Sequence, residues 1–384
     1  MSPSRRDVVR TLGLGGAGLS TALIIGRGRE AMAFEAGAMP PPDDGGVIRI
    51  SSNENARGPS RTAITAIRDA LTPRLGRGYP PDYTNDLVDA IARRYGVGRD
   101  SVITATGSGP ILEVAVRAFC SAAKPLVTAA PTYGTSETTA RRIGVPVRPV
   151  HVDRALAIDL EAMAVAARGA GLVYFCNPNN PTGTVHDAAA VERFVRRIKR
   201  ESPDTVIHID EAYMDYAHDA AVKTAAPLTQ ELPGVFISRS MSKAHGMAGL
   251  RIGYAVGQPA TVRAIAQQSG LGSMNALSAA AAIASLGDTA HLAAEVAENA
   301  RVREFTLQGL RKLGYDVPEP HTNHVFVALG RPAAEFREAC QALGVAVGRD
   351  FPPMEKTHSR ISLGTMDEMR RAMDVFRTVL TARA

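Results

Sequence analysis

Val235-Phe236-Ile237-Ser238-Arg239-Ser240-Met241-Ser242-Lys243-Ala244-His245-Gly246-Met247-Ala248-Gly249-Leu250-Arg251-Ile252-Gly253 is the run around which the chain organises. Its opening residues are apolar, branched or aromatic, and read as a buried strand over 235–238. The apolar stretch gives way to small hydroxyl residues, one lysine, a glycine-punctuated turn and an arginine. A second strand is expected over 252–256. A lysine on such a turn can form a Schiff base with an aldehyde. Ser240, Ser242 and Arg251 can hold a phosphate beside it. A covalent anchor next to a separate phosphate clamp is what pyridoxal phosphate requires.

Outward from this run, short apolar segments alternate with amphipathic ones. Strands are expected at 101–105, 126–130, 145–150, 172–176 and 205–209, with helices at 84–95, 111–122, 188–200 and 261–269. Strands that alternate with helices imply a largely parallel sheet covered on both faces. Polar clusters follow three of the strands. Asn177-Pro178-Asn179-Asn180-Pro181-Thr182-Gly183 follows 172–176, Asp210-Glu211-Ala212-Tyr213 follows 205–209, and Lys243 follows 235–238. Ligands of open α/β sheets bind at the carboxyl ends of the strands, so the three clusters can meet in one cleft.

The 384 residues suffice for two or three domains. The expected division is a signal segment over 1–33, a linker and N-terminal segment over 34–60, a large domain over 61–288, and a small C-terminal α+β domain over 289–384. In the small domain, strands are expected at 324–328, 345–348 and 359–363, with a helix at 333–342. An apolar fraction of 45% and a charged fraction of 21% are those of a soluble globular chain. Half of the formal charge of +6 comes from Arg5, Arg6, Arg10, Arg27 and Arg29 set against Asp7 and Glu30. No dense basic run occurs elsewhere, which argues against a nucleic-acid partner. Cys120, Cys176 and Cys340 are far apart and lack metal-ligand spacing, so free thiols and no metal are expected.

Ser4-Arg5-Arg6-Asp7-Val8-Val9-Arg10 precedes a glycine-rich apolar stretch and then Ala31-Met32-Ala33, a small-x-small cleavage pattern. The paired arginines resemble the bacterial twin-arginine signal, which implies the twin-arginine export machinery as a partner and an exported or periplasmic location. A non-functional signal would leave the protein cytoplasmic.

Taken in order, Ser52-Asn53-Glu54-Asn55, Tyr79-Pro80, Gly107-Ser108-Gly109, Pro131-Thr132-Tyr133, the 177–183 run, Asp210-Glu211-Ala212-Tyr213, Ser242-Lys243-Ala244, Gly249-Leu250-Arg251-Ile252-Gly253-Tyr254 and Arg360-Ile361-Ser362-Leu363-Gly364-Thr365 resemble the fold-type I pyridoxal-phosphate enzymes. Within these they are similar to the histidinol-phosphate aminotransferase branch of the class I/II aminotransferases. The resemblance implies an α/β fold with a mostly parallel seven-stranded sheet, plus a smaller α+β domain. It implies an aminotransferase acting between an amino acid, or related amine, and a 2-oxo acid. By resemblance Lys243 is the Schiff-base lysine and proton carrier, and Asp210 pairs with the pyridine nitrogen. Asn180 and Tyr213 bond the phenolic oxygen, and Tyr133 stacks on the ring. Ser108, Gly109, Ser240, Ser242 and Arg251 hold the phosphate, joined by Tyr79 from the partner subunit of a homodimer. Arg360 binds the substrate anion, while Asn53 and Arg349 are further substrate-side candidates.

His245 and His324 stand where the resembling enzymes carry aromatic residues. Racemases, decarboxylases and lyases share this scaffold, so those reactions remain alternatives. A non-catalytic binding protein is a further one, disfavoured by the joint presence of Lys243, Asp210, Tyr213, Asn180 and Arg251.

Overall fold

The computed structural model describes residues 46–77 and 84–381, all within one compact unit. Tyr79 and the signal and linker residues 1–45 lie outside the described residues. Strands β1 (Ile48–Ile50), β2 (Val102–Ala105), β3 (Leu126–Ala130), β4 (Val147–His151), β5 (Leu172–Cys176), β6 (Val206–Asp210), β7 (Val235–Ser240), β8 (Gly253–Gly257), β9 (His324–Ala328), β10 (Val345–Val347) and β11 (His358–Ser362) follow in that order. Seven of them form one sheet in the order β2-β8-β7-β6-β5-β3-β4. Only β8 runs against its neighbours; the rest are parallel. Every residue of β5 and β7 is buried, as continuous apolar strands covered on both faces must be.

The register fixes where the polar clusters emerge. Cys176 pairs with Asp210, and Asp210 with Ser238. The ends of β5 and β6 are therefore level with each other, and β7 runs only two residues further. All three loops open along one edge of the sheet. β7 extends to Ser240 because Arg239 and Ser240 pair with Tyr254 and Gly253. That pairing continues past the apolar run, so hydrophobic pattern alone stopped at residue 238. β4 starts at Val147 rather than 145. The helix expected over 111–122 is Ser108–Phe119. Its end is set by the reciprocal backbone bonds of Ser121 with Lys124, which turn the chain at Cys120.

A second core gathers Ile48 and Ile50 of β1 with Val325, Val327, Phe336, Val345, Ile361 and Phe376. β1 lies parallel to β10, and β11 antiparallel to β9. The helices Thr289–Lys312, Ala333–Ala342 and Met366–Thr381 supply the remaining apolar faces. From β1 in the second core the chain crosses to the large sheet through residues 51–60. Ser60 then caps the helix Arg61–Ala70 by accepting the Ala63 N–H. Cys120, Cys176 and Cys340 are free thiols. No helix among the described residues is long and apolar enough to cross a membrane.

The crossing segment packs tightly against the Lys243 turn. Gly246 has φ +70°, and a Cβ there would lie 1.9 Å from the Gly58 carbonyl oxygen. Gly246→Ala must therefore strain the backbone and push the two segments apart. We expect a loss of at least about 2 kcal/mol in denaturant unfolding. Gly287→Ala, whose Cβ would meet nothing within 4 Å, serves as the control and should leave the midpoint unchanged or raised.

Candidate active site

A cavity of about 660 Å³ opens where the β5, β6 and β7 loops converge. Lys243 reaches into it, with Nζ donating to the backbone carbonyls of Asn53 at 3.0 Å and Ser52 at 3.3 Å. The ammonium stands 5.7 Å from the centre of the Tyr213 ring. Burial, reinforced by Arg360 and Arg251, lowers its pKa to about 8, against the opposing charges of Glu54 and Asp210. A share of Lys243 is therefore a neutral amine, and so a nucleophile or base, near neutral pH.

Asp210, the last residue of β6, forms part of the cavity wall and is 3% exposed. Tyr174 donates its hydroxyl to one carboxylate oxygen at 2.8 Å and Ser238 to the other at 3.0 Å. Ser238 has a single proton, so its 2.8 Å bond with His208 Nε2 takes a proton from the imidazole. That agrees with a neutral His208, pushed down to about 3 by burial and stacked on Phe236. Burial raises the pKa of Asp210, and the Tyr174 and Ser238 donors oppose the rise. The sequence reading missed Tyr174, His208 and Ser238. Their signal is strand periodicity: Tyr174 lies opposite His208, and Ser238 opposite Asp210, across the sheet.

Tyr213 receives Asn53 Nδ2 at 2.9 Å and Asn180 Nδ2 at 3.2 Å on its hydroxyl oxygen. Asn180 is oriented by Arg360, whose Nη1 donates to Asn180 Oδ1 at 2.9 Å. Arg360 Nη2 donates to the Ser51 carbonyl at 2.5 Å. Arg360 is 5% exposed, its pKa lowered to about 10 by burial, and its Nε has no hydrogen-bond partner among the described residues. Arg349 and Arg360 lie 4.4 and 4.7 Å from the centre of the Phe351 ring. Arg337, absent from the sequence reading, also faces the cavity while paired with Asp350. Tyr133 lines the cavity as well.

Asn53 departs from expectation. It is fully buried and is not part of the cavity wall, so it does not meet substrate directly. Its side chain is consumed by Ser362, His324 and Tyr213. The cavity-facing residues of this segment are Ser51, Ser52 and Glu54. His245 turns away from the cavity and bonds Ser285 Oγ at 2.8 Å. His324 is buried with its ring edge-on to Tyr213.

At the opposite end Ser108, Gly109, Ser240, Ser242 and Arg251 come together. The helix Ser108–Phe119 starts without a side-chain cap, and Gly107 before it has φ 93°. A Cβ on Gly107 would sit 2.4 Å from Arg251 Nη2, so glycine lets the guanidinium lie against the helix start. Uncapped amides at a helix N-terminus, three serine hydroxyls and a guanidinium make a phosphate cradle. Cradle, lysine and buried carboxylate share one cavity and fit pyridoxal phosphate.

The sequence profile of the family "Aminotransferase class I and II" matches residues 45–376. The aromatic amino acid aminotransferase of Thermobifida fusca is 33% identical over 337 residues, 87% of this chain and 91% of that protein. The histidinol-phosphate aminotransferase of Gluconacetobacter diazotrophicus is 33% identical over 342 residues, 88% and 93% of the two chains. The crystal structure of histidinol-phosphate aminotransferase from Sinorhizobium meliloti in complex with pyridoxal-5'-phosphate superposes with a TM-score of 0.79 at 29% identity, covering 88% of this chain and 91% of that one.

A lysine pKa of about 8 has a direct chemical consequence. Acylation of Lys243 in the cofactor-free protein should rise through pH 8, roughly two units below a solvated lysine at about 10.4. Arg360→Gln removes a neighbouring cation, favours the ammonium form and should move the midpoint to higher pH. Peptide mass spectrometry of pH-stepped labelling reads both, and a wild-type midpoint near that of a free lysine contradicts the lowered pKa.

Proposed function

The chain belongs to the class I and II aminotransferases and is a pyridoxal-phosphate-dependent transaminase; on that premise we propose how its own residues divide the work. Bound cofactor supplies an electrophilic aldehyde and a ring able to accept the electron pair of a deprotonated α-carbon. Lys243 would anchor the cofactor, and its amine, when free, would take and return the proton of the substrate α-carbon. Its lowered pKa supports that task. Asp210, whose carboxylate form the Tyr174 and Ser238 hydroxyls favour, would pair with the ring nitrogen and keep it protonated. Tyr213 and Asn180 would serve the phenolic oxygen, and Tyr133 would cover the ring face. Ser108, Gly109, Ser240, Ser242 and Arg251 hold the phosphate.

Arg360 receives the anionic group of an amino acid or 2-oxo acid. Its place in the cavity wall and its fixing by Asn180, Ser51 and Phe351 support this. Arg349 adds a second charge on the same side. The observation that carries the reading is the convergence of Lys243, Asp210 and the phosphate cradle on one cavity.

Three further proposals rest on the sequence. Residues 61–288 act as the cofactor-binding part and 289–384 as the smaller part, in keeping with the two cores. Two copies associate so that Tyr79 reaches the neighbouring phosphate. Residues 1–33 direct export of the folded, loaded protein to the periplasm by the twin-arginine route, a course open to a protein that captures its cofactor in the cytoplasm.

Borohydride reduction of the loaded protein should leave cofactor mass on the peptide carrying Lys243, and Lys243→Ala should carry none and have no transaminase activity. In a screen of amino donors, product should require an added 2-oxo acid. Product made equally well without it contradicts amino transfer as the main reaction. Asp210→Asn should lose roughly 10²–10³-fold in turnover, the scale of one preorganised electrostatic group. Arg5→Lys with Arg6→Lys should abolish export of a fused reporter, and unchanged export rules out the twin-arginine route.

A further inference from the structure

We infer that Asn53 is a positioning residue: locked by Ser362, its side-chain amide gives an N–H to Tyr213 and so reserves the Tyr213 hydroxyl proton for the cofactor's phenolic oxygen. The inference rests on the cofactor reading above and deepens it.

Hydrogen-bond polarity places the protons around Asn53 in turn. Ser362 Oγ accepts the backbone N–H of Asn53 at 2.8 Å. It donates its own proton to Asn53 Oδ1 at 2.7 Å. The atom facing Ser362 is therefore the amide oxygen, and the NH₂ group faces the other way. That group supplies both remaining contacts, to Tyr213 Oη at 2.9 Å and to His324 Nδ1 at 2.9 Å. His324 must be neutral to accept at Nδ1. It is buried, with Arg360 and Lys243 as the cations facing it, and these three influences hold it well below the usual histidine range.

Asn180 reaches the same oxygen with the same polarity. Arginine only donates, so Arg360 makes the Asn180 atom it contacts the oxygen and turns the NH₂ toward Tyr213. Two N–H groups thus point at the Tyr213 oxygen, and neither asparagine can take its proton. Tyr213 lines the cavity, and its hydroxyl proton is left to be given there. Asn53 also accepts Lys243 Nζ on its backbone carbonyl at 3.0 Å. One buried residue therefore touches two of the groups assigned to the cofactor, Tyr213 and Lys243. Its φ of 56° is a left-handed conformation that asparagine tolerates better than most side chains.

A donor on the phenolic oxygen favours loss of the proton from the Lys243–cofactor linkage, and the visible absorbance of loaded protein reports that proton as pH is varied. The other groups facing Lys243 are Glu54, Asp210, Arg251 and Arg360, and all stay unchanged in the variants. Asn53→Asp is nearly isosteric and keeps the acceptor for Ser362, but it can only accept from Tyr213. It should draw the tyrosine proton away and raise the absorbance midpoint by a unit or more, a tenfold change in the proton equilibrium.

Tyr213→Phe should raise the midpoint by loss of the donor. In that background Asn53→Asp should add far less than it does alone. Asn53→Ala should shift the midpoint upward with Tyr213 present and leave it in place with phenylalanine, and it carries the test should the Asp variant not fold. Equal shifts with and without Tyr213 would mean that residue 53 acts as a bare charge or through general packing, and would overturn the inference. So would midpoints that match the wild type in both Asn53 variants, while leaving the cofactor reading intact. A wild-type protein with no cofactor band would remove that reading and the inference together.

Discussion

A carboxylate sunk in the apolar middle of a sheet is the constraint on which the site depends. Asp210 sits at the end of β6, flanked by β5 and β7, where an unpaired charge would be costly. Its neighbours lower that cost without neutralising it. Tyr174 and Ser238 each give it a hydroxyl proton, and His208 stands behind Ser238. These donors exist because parallel pairing sets 176, 210 and 238 side by side. The same registry brings Asn180, Tyr213 and Lys243 out along one edge. Register, charge stabilisation and site geometry are one arrangement seen at three scales.

The second element is the N-terminal crossing. β1 belongs to the second core by its pairing with β10, yet the residues just after it deliver carbonyls to Lys243 and Arg360 and an amide to Tyr213. The cavity is therefore walled from both cores, and its cationic side comes from the second. Arg337, Arg349 and Arg360 line that side, and Glu54 and Asp210 are the acids of the lining. Such a balance suits a dianionic cofactor phosphate at one end and an anionic substrate at the other.

Much of this was legible in the sequence, because parallel strands advertise themselves as apolar runs and their catalytic residues follow directly after. The alternation gave the seven strands to within two or three residues, and the polar clusters after β5, β6 and β7 gave Asn180, Asp210, Tyr213 and Lys243. The positions that escaped are defined by cross-strand registry or by contact over long sequence separation. Tyr174 and Ser238 look like ordinary strand residues until pairing places them beside Asp210. Asn53 looked like a substrate contact because its segment does line the cavity. A left-handed φ and the embrace of Ser362, nearly the whole chain away, turn its side chain inward. Arg337 lies on a helix whose apolar pattern gives no hint of what its polar face meets.

The two buried relays share a design. In each, a serine with one proton transmits direction from a backing group to a group that faces the cavity: His208 through Ser238 to Asp210, and the Asn53 backbone through Ser362 to the Asn53 amide and on to Tyr213. Each relay also includes a histidine that burial keeps neutral, at about 3 for His208 and lower than usual for His324. Protonating His324 would place a donor where an acceptor is needed and a third cation beside Lys243 and Arg360, and protonating His208 would bury a charge whose new N–H has no partner. Because neither ring titrates near neutral pH, the direction of both relays is fixed across the working range. Lys243, with its pKa lowered to about 8, can then change protonation while the two relays around it hold still.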